Sequence, residues 1–529
     1  MHPSSPTRRD LFRLALGGMA LPAAGLTGLS ARPEAQSATP AVAAAATGSA
    51  LAPFSAAKVV ELARELAAEP YKPPSPAPLD ALAAATPEEL AAIRYRPADT
   101  IWAGEGLAFA IEPLHRSRNL PSEVELYTVD GATATRLAYD PRSFDFGKLK
   151  PPLPPAELGF TGFRVLSRDS DGRLNPVASL INASILSAIA PNQVWGAISR
   201  PLTVRTGDQM GEEAPHIRAI WLEKPRSIAT ELVMHGVIDT PSLVAALRFT
   251  LRAGGATVID TECTIFTRKQ VDHFGLTPIQ ATYLAGPVDW PPSADMRPRV
   301  YEAGGVQMLT GTGEWIWRPV SNRSWLQVSA FVDRDPQGFG LIQRERTFAA
   351  FLDDDNEWQR RPSVWIEPIG KWGAGEVTLV EIPAASQNNK NIACYWRPRP
   401  ALAAGSEISF AYRQFWSWRP PSRPDVAMVT ASRMGRIPGD TSGTKSRVFV
   451  QFESEQLSDP AKAAAIVPSI WASVGQVVSQ PRVYRTPRQG SMRVVFDLDL
   501  SGQTLVELRV VLKQDAVPMS ETWLYRWTQ

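Results

Sequence analysis

The chain has 529 residues, 44% of them apolar, enough to bury one very large core or two ordinary ones, so global disorder is excluded. Its 55 Lys+Arg against 53 Asp+Glu leave a net charge of +2 without a long basic run, so no nucleic-acid partner is expected. Two cysteines, Cys263 and Cys394, exclude a disulfide framework and a Cys-rich zinc site while leaving one disulfide open, and five histidines without HxH or HExxH spacing disfavour a metal hydrolase.

At the N-terminus, Thr7, Arg8, Arg9, Asp10, Leu11 and Phe12 precede an apolar stretch from Leu14 to Leu29, the pattern of a twin-arginine export signal. Glycines and Pro22 interrupt that stretch, and no later run is long and apolar enough to span a bilayer. The expectation is a signal peptide over 1–36, an Ala-rich linker over 37–53, and a periplasmic mature chain without stable membrane insertion; an uncleaved anchor is the alternative. Twin-arginine cargo crosses the membrane folded, so the cysteines need not pair for export.

Ser55 then caps a helix whose apolar positions Val59, Leu62, Ala63 and Leu66 recur at helical spacing up to Pro70, and Phe54 with Val59 has the spacing of a hydrophobic staple. A short helix is predicted from Pro87 to Ile93. Beyond it the period shifts to two, with strands at Leu232 to Ile238, Leu243 to Leu251, Val258 to Phe266 and Val328 to Val332. Between Thr257 and Arg268 the alternation puts Asp260 and Glu262 on one face, where pairing with arginines of a neighbouring strand outweighs a catalytic role. The polar, aperiodic segment 384–390 reads as a linker between a larger β-rich domain, 54–383, and a C-terminal immunoglobulin-like sandwich, 391–529, that lacks the Cys and Trp arrangement of antibody domains. The composition, with 16 Trp and 47 Pro, suits strands, turns and flat apolar platforms for carbohydrate.

Several ordered segments carry a resemblance: Leu158 to Leu166 (LGFTGFRVL), Gly313 to Pro319 (GEWIWRP), Pro336 to Arg344 (PQGFGLIQR), Arg361 to Trp365 (RPSVW), Lys371 to Gly373, Val380 to Pro383 and Ser520 to Trp523 (SETW). With these the chain resembles the periplasmic, osmoregulated glucan biosynthesis proteins G and D over nearly its whole mature length, as a divergent member. The resemblance implies a mainly β protein, with a large N-terminal, mutarotase-like β-sandwich holding a glucan cleft and a smaller immunoglobulin-like β-sandwich. It also implies an inverting β-1,2-glucanase-like glycoside hydrolase or a transglycosylase, with β-glucan as its polysaccharide partner. The different-class alternative is a non-catalytic, glucan-binding scaffold beside an inner-membrane glucosyltransferase.

The resemblance assigns the general acid to Asp353; spacing alone does not separate it from Asp354, Asp355 or Glu357. Breaking a glycosidic bond takes one carboxylic acid to protonate the leaving oxygen and, for inversion, a base to activate water. Clustered acids repel one another's charged forms, so one of the four is expected to hold its proton toward neutral pH, and the bland alternatives are an acidic surface loop or a calcium site. Trp315, Trp317, Trp358, Arg344, Arg346 and Arg361 are the substrate-binding candidates, drawn from an aromatic run that includes Trp325, Trp365 and Trp372, most of it expected in the core. Departures from the family pattern are Arg268-Lys269-Gln270-Val271, where an acid on the base side is missing and Asp272 is no obvious substitute, Ser184-Ile185-Leu186-Ser187, and Tyr301-Glu302-Ala303-Gly304-Gly305. No cofactor and no metal are expected, since two carboxyl groups suffice for this chemistry.

Overall fold

The computed structural model describes residues 51–529 apart from 75–81, 83–84, 119, 150–157, 183, 209–210, 289–294, 442, 475 and 478–479. The expected signal peptide and most of the Ala-rich linker lie outside the described residues. The first helix runs Ala56–Ala68, with the Ser55 hydroxyl accepting from the Lys58 backbone N–H. Val59 and Ala63, flanked by Phe54, Leu62 and Leu66, pack on Val237, Val244, Ala246 and Phe266, so the helix covers one face of three strands. Thr86 and Glu89 form a capping box on the short helix Pro87–Ala92.

Everything else of weight is sheet. One long sheet runs Leu51–Pro53, Thr133–Arg136, Glu125–Asp130, His216–Glu223, Leu232–Asp239, Leu243–Arg252, Thr257–Thr267, Glu407–Ser417, Ser363–Ile369, Gly338–Ile342, Gly305–Leu309 and Trp315–Pro319, and continues into C-terminal strands. A second begins Gln327–Arg334, Ala374–Glu381, Ile392–Pro398 and Phe274–Ala281 and ends at Phe160–Arg168 and Phe109–His115. Alternating apolar side chains from both sheets fill one continuous core that includes Ile220, Leu247, Ile265, Leu276, Leu379 and Trp396. Asp260 pairs with Arg252 and Arg413, and Glu262 with Arg248, as the alternation predicts. Cys263 and Cys394 are both free and buried, so the disulfide left open by the sequence is not formed.

The domain boundary moves. Glu407–Ser417 pairs along its length with Thr257–Thr267 and with Ser363–Ile369, and Ile392–Pro398 pairs with Ala374–Glu381 and Phe274–Ala281. The 384–390 segment is therefore a connection inside the larger body, and the chain passes to the smaller one between Ser417 and Met428. Strand periodicity announces a strand and is silent about its partner, so the period of 392–417 does not tell which sheet receives it. The smaller body packs the sheet of Met428–Arg436, Lys445–Glu453 and Ser491–Asp499 against Val467–Ala472, Leu505–Gln514 and Thr522–Thr528 over Val450, Phe452, Val494, Val510 and Trp523. Thr522–Thr528 also pairs in parallel with Trp315–Pro319, so one sheet is continuous across both bodies.

Gly338–Ile342 and Ser363–Ile369 approach so closely that a Cβ on Gly340 would stand 2.0 Å from the Val364 carbonyl oxygen, and one on Gly338 2.3 Å from the Trp365 ring. The Gly-Phe-Gly-Leu segment is thus a packing requirement, and it fixes both ends of the loop that carries the acids.

Candidate active site

The connection between those two strands, residues 343–362, contains the four acids, and its folding separates them. Phe351 is fully buried and meets the Tyr301 ring edge-on at 5.1 Å, while Tyr301 stacks on Tyr283. Leu352 and Glu357 adopt left-handed backbone, φ 53° and 44°, a strained choice for side chains with a Cβ that turns the intervening chain back on itself. Inside this turn Asp353 points inward and is buried, whereas Asp354 and Asp355 are exposed and Glu357 pairs with Arg360.

Asp353 Oδ2 accepts from Arg297 Nη1 at 2.6 Å, Trp358 Nε1 at 2.8 Å and Asn356 Nδ2 at 3.0 Å. Among the described residues, its Oδ1 accepts only from the Asn356 backbone N–H at 3.1 Å and the Asn356 amide at 3.0 Å. Burial pushes the carboxyl's pKa up, but the bonds from Arg297, Asn356 and Trp358 outweigh it and hold the group below the ordinary aspartate value. For this carboxyl, hydrogen bonding rather than repulsion among the clustered acids sets the direction. Its neighbouring acids point to solvent, and the nearest charge is a guanidinium.

Around this carboxylate the network is dense. Arg297 is gripped by Asp295 through Nε at 3.0 Å and Nη2 at 2.8 Å, and Nη1 also donates to Gln387 Oε1 at 2.6 Å. Arg361 donates through Nε and Nη2 to the Asn356 carbonyl at 2.9 and 2.6 Å and lies over the Trp358 ring. Lys390 Nζ, buried, meets both oxygens of Glu302 at 2.5 and 2.6 Å and the Gly196 carbonyl at 2.9 Å. Arg346 donates to the carbonyls of Gln359, Arg361 and Trp418 and to the Ser363 hydroxyl. Trp358, Arg346 and Arg361 thus clamp the loop that presents Asp353, a supporting task in place of the sugar contact expected of them.

Trp315, Trp317 and Arg344 require a larger correction. Both indoles are buried in the core of the smaller body together with Trp365, which stacks on Trp315 at 5.9 Å. Arg344 stacks over Trp317 at 3.6 Å and forks onto fully buried Glu521 at 2.6 and 2.9 Å, and Glu521 also accepts from Gln307 and the Val429 N–H. The sequence put both tryptophans on one face; a second sheet covers that face. Trp372 is likewise internal, and Trp325 is 52% exposed.

The departures from the family pattern can now be placed. Gln270 is exposed and donates to the exposed Asp272 carboxylate, and the segment 268–271 itself carries no acid. Glu302 is consumed by Lys390 and the Thr282 N–H, and Ser187 donates to the Ala197 carbonyl. Sequence reasoning missed Arg297, Asp295 and Gln387, which no spacing ties to Asp353. It also missed Phe348 and Leu352, 43% and 54% exposed, apolar side chains that the loop leaves open to solvent ahead of Asp353. Two apolar residues just ahead of the acidic run 353–357, outside any strand period, are the signal the sequence offers. No group of three or more His, Cys, Asp or Glu suited to a metal occurs among the described residues.

Among solved structures, a galactose mutarotase related enzyme from Lactobacillus acidophilus aligns with 45% of this chain and 96% of its own at 8% identity and a TM-score of 0.20, a value that carries no argument. No helix among the described residues is long and apolar enough to cross a membrane. Sequence comparison is more decisive. The chain is 38% identical over 480 residues to a Glucans biosynthesis protein G of Shewanella baltica, covering 90% of this chain and 87% of the relative. It is 36% identical over 493 residues to that of Bradyrhizobium diazoefficiens, covering 92% and 96%. The family described as Periplasmic glucan biosynthesis protein, MdoG matches residues 54–527, so the chain belongs to this family and takes part in glucan biosynthesis.

Proposed function

We propose that the chain, exported by the twin-arginine route, acts on β-glucan in the periplasm as an inverting β-1,2-glucanase-like hydrolase or transglycosylase, with Asp353 protonating the leaving glycosidic oxygen. The observation that carries this reading is the separation of the acids. Of the four acids in the run 353–357, Asp353 alone is buried, and it is held by side chains from two segments, as a group that must be positioned for proton transfer requires. Its Oδ2 is anchored by three donors, leaving Oδ1, bonded only to Asn356, as the oxygen suited to carry and release a proton. Phe348 and Leu352 offer apolar surface for a sugar face beside it.

A second reading, a scaffold that holds glucan beside an inner-membrane glucosyltransferase, is favoured by one observation: the segment Arg268-Lys269-Gln270-Val271 carries no acid on the base side. Incubation of the mature protein with linear β-1,2-glucan, followed by chromatography of chain lengths, separates the two. Shortened or redistributed chains support the enzyme; retained binding with unchanged lengths supports the scaffold.

A further inference from the structure

Resting on Asp353 as proton donor, we propose that Arg297 is a positioning residue that keeps Asp353 ionised in the unliganded site and so confines turnover to acidic pH. The geometry is a shared cation. Asp295 fixes Arg297 by a bidentate grip reinforced by its own bond from the Arg297 backbone N–H at 3.0 Å, which leaves Nη1 to bridge Asp353 and Gln387. A guanidinium cannot give up its proton in water, so this charge is permanent across any working pH.

The other charges facing Asp353 do not substitute for it. From its own loop, Arg361 acts on Asp353 through space without a bond to it, its bonded nitrogens going to the Asn356 carbonyl, Glu357 pairs with Arg360, and Asp354 and Asp355 are exposed. From the strand after Arg297, Glu302 is paired with Lys390, which comes from the connection 384–390. From Arg297's own segment, Asp295 adds negative charge beside Asp353 and works against its ionisation. Arg297 is therefore the cation in direct contact with Asp353, at 2.6 Å. A donor that has delivered its proton to a glycosidic oxygen must regain one from solvent before the next cycle, and the Arg297 charge opposes that recovery.

The sign of the consequence is fixed. Activity needs protonated Asp353, so it falls as pH rises through the group's pKa; removing the positive charge raises that pKa and moves the basic limb to higher pH. The test measures the pH profile of linear β-1,2-glucan turnover for the wild-type protein, Arg297→Gln and Arg297→Lys, together with titration of the Asp353 carboxyl by 13C NMR, assigned with Asp353→Asn. The expected result is an upward move of both the basic limb and the titration by about one pH unit or more in Arg297→Gln, with recovery toward wild type in Arg297→Lys. Asp295→Asn, which removes the competing carboxylate from Arg297, moves the titration the other way, and this holds even where Arg297→Gln fails to fold. An unmoved titration in Arg297→Gln or Asp295→Asn, or a rate lowered at every pH with the limb in place, overturns the proposal. Full turnover in Asp353→Asn overturns instead the reading of Asp353 as the acid, while the NMR titration still decides the role of Arg297.

Discussion

Arg344 with Glu521 and Arg297 with Asp353 are the same chemical pair in two settings. The first joins the two bodies: Glu521 is fully buried, Arg344 is sandwiched against Trp317, and every bonded partner belongs to the protein. The second sits at the outer loop, where Arg297 and Asp295 are each about one-fifth exposed and Asp353 nearly covered. A sealed pair has no way to exchange partners and serves assembly. A pair with one open side can yield its bonds to a ligand, and that difference in burial, more than residue type, separates a structural carboxylate from one suited to chemistry.

The comparison breaks most sharply at Glu521. Glu521→Ala takes the carboxylate from Arg344, whose side chain is 14% exposed, and should cost about 3 kcal/mol, read by denaturant unfolding, whereas Asp353→Asn should leave stability close to wild type. A milder effect of Glu521→Ala than of Asp353→Asn would reverse the assignment of the two pairs. Trp317→Ala should destabilise by roughly 3 kcal/mol through the cavity it opens, with glucan affinity per folded molecule unchanged. Phe348→Ser and Leu352→Ser should do the opposite, weakening binding of linear glucan by about tenfold in titration calorimetry with little change in melting. Affinity lost in Trp317→Ala and kept in the loop variants would restore the tryptophans as sugar contacts.

A smaller effect concerns acid. Burial holds the His115 ring at about 4, well under its usual 6.5, and His216 and His273 are likewise lowered to about 4, chiefly by burial. A ring whose folded pKa is depressed binds fewer protons folded than unfolded, so stability contributed by its neutral form is lost progressively as pH falls from about 6.5 toward 4. Unfolding measured across that window should show the slope, and His115→Gln should flatten it. The smallest expected effect is that of chelation: exhaustive treatment with EDTA should leave both melting and turnover unchanged, and recovery that depends on added calcium would revive the acidic loop as an ion site.

Local patterns were legible because local physics sets them. Ser55 capping Ala56–Ala68, and the arginine partners of Asp260 and Glu262, follow from helix ends and strand alternation. Which sheet receives Glu407–Ser417, and what covers Trp315 and Trp317, depend on pairing with distant segments, and no period in the chain records it. The candidate site divides in the same way. The acidic loop was found through resemblance, yet the choice among its four acids became visible only when left-handed turns at Leu352 and Glu357 sent one of them inward. Arg297 and Asp353, 56 positions apart, share nothing in sequence that predicts a 2.6 Å contact.

The central claim is that Asp353 does chemistry while Asp354 and Asp355 beside it face solvent. Turnover of linear β-1,2-glucan by Asp353→Asn, Asp354→Asn and Asp355→Asn, measured side by side, tests it most directly. The account predicts a fall of roughly 10² to 10⁴ for Asp353→Asn, with glucan binding kept, and losses within about tenfold for the other two. Equal losses across the three, or an undiminished Asp353→Asn protein, would contradict it.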